Sequence, residues 1–147
     1  MSTIDRHVHS AGVHVAVPAR TAFAFMADPM KQTHWALGSW DRRHVGDDVF
    51  VGTSLFDGKE LYVRITGHEE LLLVDYSNGP TPDSLRRTVE ARIVPGELVG
   101  IPTDHCLIVL TTWRDASTDD AQWELVHHVW RTEVHLIKGR LEREAAT

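Results

Sequence analysis

Glu133 is the residue whose type and position most invite chemistry. Between Trp123 and Leu141, at about 100° per residue, Trp123, Val126, Trp130, Val134, Ile137 and Leu141 fall on one helical stripe, and Leu125, Val129 and Leu136 widen it on one flank. Glu133 projects near the middle of that apolar arc, with Arg140 two turns further along the same side. A carboxylate kept from water has a raised pKa, and can pass a proton or hold a ligand hydroxyl. The structural alternative is an ion pair with Arg140 or with a strand arginine such as Arg64 or Arg87.

Tyr62, Arg64, Tyr76, Arg87, His105 and Trp113 are polar or amphipathic residues on expected strands. Those facing the helix would supply the few converging polar groups of a mostly apolar pocket. Tyr62 and His105 are the natural partners for proton transfer with Glu133. Strand parity decides which of them face inward, and one residue of slip reverses it.

The ten histidines invite a metal reading. His7 and His9 share a strand face, and Glu124 with His128 forms an i, i+4 pair. Zinc needs at least three ligands, no HExxH or paired-cysteine motif exists, and Glu124 and His128 lie with His127, Arg131, His135 and Lys138 opposite the apolar arc. Neither metal nor cofactor is expected. Ser39, Ser54, Ser77 and Ser84 sit in no Gly-x-Ser-x-Gly elbow, and glycine-rich phosphate loops are missing. Trp35, Trp40, Trp113, Trp123 and Trp130 read as core and cavity wall.

The elements that must position these groups follow from periodicity. Val13, Val15 and Val17 alternate with polar or small residues in a first strand that Pro18 stops. Ala19–Ala27 reads as a short helix, and Asp28-Pro29 starts a second one ending near Trp35. Strands follow at Leu37–Val45, Val49–Phe56, a segment around Leu61–Ile65, Leu71–Tyr76, Leu85–Val94 and His105–Trp113. Asp57-Gly58 predicts a two-residue type I′ hairpin. Asn78–Pro82 is a break, and Pro95–Asp104 is an unusually apolar loop. Hairpin-length connections imply an antiparallel sheet, and segregated helices imply an α+β class.

At 147 residues, with 24% charged and 42% apolar side chains, the chain reads as one soluble globular domain spanning 1–147. A formal charge of -6 argues against nucleic-acid binding, which needs a basic surface. Cys106 is alone in an apolar run and reads as a buried, inert thiol. Met1–Ser10 carries no apolar signal region, and no stretch approaches the roughly 20 apolar residues of a membrane span. A reduced, cytoplasmic protein is expected.

In its order of elements, the chain resembles the START-like superfamily, also called SRPBCC or helix-grip, which includes birch-pollen-allergen-like and polyketide cyclase/dehydratase-like proteins. The local signatures are Val15-Ala-Val-Pro18 running into Ala19–Ala27, Asp28-Pro29 with Trp35, and Trp130, Glu133, Ile137-Lys138 and Arg140-Leu141-Glu142 at the end. The resemblance implies a helix-grip fold: a curved seven-stranded antiparallel sheet wrapped around the long C-terminal helix, two short helices after the first strand, and a cavity for an apolar molecule. Members include lipid and hormone carriers, aromatase/cyclases and co-chaperones, so the fold alone does not choose among them.

The first expectation is a binder of a small hydrophobic molecule, aromatic or polycyclic. Trp123, Val126, Trp130, Val134 and Ile137 would form the wall, Glu133 and Arg140 the orienting groups on the helix, and Arg64, Tyr76 and Trp113 the sheet's contribution. Pro95–Asp104 and Asn78–Pro82 would form the mouth. The alternatives are a polyketide cyclase/dehydratase-like enzyme using Glu133 with Tyr62 or His105, and a protein-interaction module with a filled core. The flank of Leu125, Val129 and Leu136 offers a homodimer contact.

Overall fold

The structure, a computed structural model, describes residues 4–147; Met1–Thr3, part of the segment read above for a signal, lie outside the described residues. Seven strands form one antiparallel sheet: β1 Val8–Val15, β2 Trp40–Gly46, β3 Val49–Thr53, β4 Glu60–His68, β5 Leu73–Gly79, β6 Arg86–Pro95 and β7 Cys106–Trp113. Their spatial order is β1-β7-β6-β5-β4-β3-β2. Strands adjacent in sequence thus pair throughout except β1 and β2, which occupy opposite edges. The segment between them must cross the sheet. It does so with helix α1, Ala19–Ala27, and a 3-10 turn at Lys31–His34.

That turn is the second short helix expected from Asp28-Pro29, shortened to four residues. Asp28 does not cap it: Met30 holds the N-cap position without a side-chain cap, and Asp28 instead ends α1, its Oδ1 accepting the Met30 N–H at 2.9 Å. Trp35 and Ala36 then plunge into the core, and burying them ends the helix.

Helix α2 runs Asp120–Ala145. Asp119 and Gln122 form a reciprocal capping box at its start, satisfying two backbone donors that the helix cannot. Trp123, Val129, Val134, Ile137 and Leu141 are buried along it, each worth roughly 1.5–3 kcal/mol when fully covered. Opposite them, β7 alternates cleanly, with Cys106, Ile108, Leu110 and Thr112 inside. Cys106 is buried, and burial pushes its thiol up to about 11, as an inert thiol should be. The Tyr76 hydroxyl donates to the Met26 carbonyl at 2.6 Å, tying β5 to α1.

Three register shifts bend the sheet, one of them at the end of β2, where His44 pairs with Phe50 but Gly46 with Val49. Between β5 and β6, Tyr76 pairs with Val89 but Ser77 with Arg87, leaving Thr88 extra. Between β2 and β3, Trp40 pairs with Thr53 but Arg43 with Val51, so β2 takes three steps against two. Each extra residue increases twist and re-aims a side chain.

Some local expectations change. Asp57-Gly58 closes no type I′ hairpin: only Gly58 has positive φ, at 74°, and Asp57 instead accepts the Lys59 N–H at 2.9 Å within a longer turn. The strand expected at Val49–Phe56 therefore ends at Thr53. His127, expected on the wet face, is buried against β1. Its ring packs against that of His9 at 3.9 Å between centroids, the planes tilted by 41°, and its Nδ1 meets the Trp123 carbonyl oxygen at 2.9 Å.

Candidate functional site

A cavity of about 230 Å³ lies between the sheet and the N-terminal half of α2. Leu61 and Val63 from β4, Tyr76 from β5, Val89 from β6 and Leu110 from β7 form its floor; Val126, Val129, Trp130 and Glu133 from α2 form its roof. Trp35, Ala36, Ser39 and Arg42, from the crossing segment and the start of β2, close one side. Phe56 and Leu125 also line it, yet are 49% and 43% exposed, so that side opens to solvent. The mouth is therefore built from the β3–β4 turn and α2. None of Pro95–Asp104 reaches it, and of Asn78–Pro82 only Asn78 does.

Glu133 is 4% exposed. Its Oε2 accepts the Leu37 N–H at 2.9 Å. Burial pushes its pKa up to about 8, the Leu37 bond offsetting only part of the effect, so the carboxyl is protonated at neutral pH. Arg140 does not meet it, donating through Nε to Glu144 at 2.8 Å instead.

Arg42 is the unexpected member. It is 6% exposed, and its guanidinium donates to Pro29 O at 3.1 Å, to Gln32 Oε1 and to Ser39 Oγ at 2.7 Å. Among the described residues no carboxylate pairs with it. Burial lowers its pKa to about 10, so it keeps its charge at neutral pH. Three further donors share this wall: Arg42 Nε, Trp35 Nε1 and Trp130 Nε1 are buried without an acceptor within the described residues.

Of the residues singled out from sequence, Val126, Trp130, Glu133 and Tyr76 come together here. Trp123, Val134 and Ile137 are buried in the packing of α2 and do not line the cavity; Trp123 Nε1 donates to Asp5 O at 2.8 Å. Tyr62 and Arg64 have the opposite parity to Val63, and lie on the outer face beside Glu60 and Asp48. His105 is also outside, bonded to His14 at 2.9 Å. Trp113 follows inward-facing Thr112 and so points outward. Arg87 approaches Asp75 at 3.7 Å. Val129 and Leu125, read as flank for a dimer contact, belong to the cavity wall. No group of three or more metal-binding side chains occurs among the described residues.

No family model and no curated protein matches this sequence. Solved structures do match. The chain is similar to Zhui aromatase/cyclase from Streptomyces sp. R1128, with a TM-score of 0.66 at 17% identity over 94% of each chain. It is similar to a START superfamily protein from Mycobacterium smegmatis, at a TM-score of 0.67 and 13% identity, covering 94% of this chain and 99% of that one. It also matches StfQ, a di-domain ARO/CYC of the steffimycin biosynthetic pathway, at a TM-score of 0.69 and 15% identity, covering 94% of this chain and 46% of StfQ. The fold is thus the START-like helix-grip fold. Among the described residues no helix is long and apolar enough to cross a membrane.

Proposed function

We propose that this protein binds a small, mainly apolar molecule in the cavity between the sheet and α2. The observation that carries the reading is the wall itself: apolar residues from four strands and α2 surround a few polar groups, Glu133, Arg42, Trp35 and Trp130, and one side reaches solvent. Such composition is that of a ligand site. A cavity of about 150 Å³ admits benzene, so about 230 Å³ suits one or two fused rings rather than a steroid-sized polycycle. An interaction module with a filled core draws no support from this cavity.

The enzyme reading keeps one supporting observation. Glu133, with its pKa pushed up to about 8, is tuned for proton transfer near neutral pH, and similar folds include aromatase/cyclases. Its expected partners are elsewhere, however: Tyr62 and His105 are on the outer face, and the Tyr76 proton is committed to Met26 O. Binding therefore takes precedence. Calorimetric titration with 2-naphthol tests it: one saturable site per chain is expected, weakened at least tenfold by Val129→Trp, which fills the cavity. Unchanged binding in that variant would place the site elsewhere.

A further inference from the structure

The cavity contains a positive charge that the protein itself does not neutralise. Arg42 is 94% shielded from solvent, since its relative exposure is 6%, and its neighbours Pro29 O, Gln32 Oε1 and Ser39 Oγ are neutral. Dipoles satisfy three of the guanidinium's five hydrogens; they do not cancel its charge. A buried cation without a partner is among the costliest features a core can hold. The chain nonetheless builds it deliberately. The β2 bulge between Trp40 and Arg43, with Asp41 in the left-handed region at φ 49°, accompanies the inward placement of Arg42 while its neighbour Arg43 remains on the surface near Glu60.

The other cavity groups share one bias. Trp35 Nε1, Trp130 Nε1 and Arg42 Nε are donors without acceptors. Glu133 uses one oxygen for Leu37 and, protonated, supplies no counter-charge. The Tyr76 hydroxyl is spent on Met26. The lining residues thus bring a cation to the cavity and, with Glu133 protonated, no anion at neutral pH.

We infer that the guest is a small aromatic carboxylate whose anion is received at the Arg42 end of the cavity, with its ring among the apolar wall that includes Trp35 and Trp130. This rests on the ligand-binding reading above. Guanidinium and carboxylate are geometrically matched, and the pair brings the cavity to net neutrality. The formal charge of -6 gives no general attraction for anions, so any preference must arise locally.

The test compares 2-naphthoate with 2-naphthamide, which matches it in shape and lacks its charge, by calorimetric titration at pH 6.5. The wild-type protein should bind the carboxylate at least tenfold more tightly. In Arg42→Gln that preference for the carboxylate over the amide should vanish; in Arg42→Lys part of it should return. If Arg42→Gln does not fold, the wild-type comparison alone decides. Equal or tighter binding of the amide by the wild type overturns the charge assignment and leaves the cavity as a site for neutral guests. Failure of both probes overturns the binding reading and this inference together.

Discussion

At the scale of single residues, Glu133 and Arg42 show what a sequence does and does not display. Glu133 was visible because it interrupts an apolar stripe of known period. In the folded chain its proton is held up to about pH 8 by burial, whereas the unfolded chain releases it near the ordinary 4.5. The folded state therefore binds more protons between those values, and stability falls as pH rises through that window, by at most roughly 4–5 kcal/mol. Glu133→Gln keeps an acceptor for the Leu37 N–H and cannot ionise. Urea denaturation should show mutant and wild type of similar stability near pH 5, and the mutant more stable at pH 9. A large loss in the mutant at both pH values would mean a structural ion pair instead.

Arg42 was not legible. It sits in Trp40-Asp-Arg-Arg-His, a run without hydrophobic alternation, and only a bulge turns it inward. His127 was misplaced for a related reason: periodicity gives a face, but not how far the neighbouring strand reaches around it. His9, whose ring packs tilted against His127, has its pKa lowered by burial, then by His127 and by Arg131. A neutral His9 is thus favoured in the fold, its contribution lost as pH falls below about 6.5. Histidine NMR titration should place the His9 midpoint below 6.5; a midpoint at or above it contradicts this packing.

At the scale of elements, strands and helices were largely readable, while their ends were not. Period-2 alternation located β1, β4 and β6, and the broad apolar arc located α2. The capping box at Asp119 and Gln122 carries a direct consequence. Asp119→Ala should lower stability by about 1 kcal/mol, read from the urea midpoint, and no change would mean that the cap is dispensable. Gly52 illustrates what pattern cannot show. A Cβ there would lie 2.3 Å from Ser39 Oγ and 2.7 Å from the Ser39 backbone, so β3 packs directly on the residue that holds Arg42. Gly52→Ala should cost about 1–3 kcal/mol by overpacking, and should weaken 2-naphthoate more than 2-naphthamide. Wild-type stability in that variant would contradict the contact.

At the scale of the whole molecule, the order of elements and the resemblance it carried anticipated the helix-grip fold, which places a cavity between a curved sheet and α2. Which polar side chains enter that cavity depends on bulges and strand parity, which the sequence leaves open: Tyr62, Arg64, His105 and Trp113 lie on the outer face, while Tyr76 and Trp130 line the cavity. The central claim is that a guest enters between sheet and α2, beside Trp35 and Trp130. The five tryptophans report on it individually through their indole N–H resonances. Titration with 2-naphthol should shift the Trp35 and Trp130 signals saturably and leave those of Trp113 and Trp123 unmoved. Shifts confined to Trp113, Trp123 or Trp40, or no saturable shift at Trp35 and Trp130, would contradict the account.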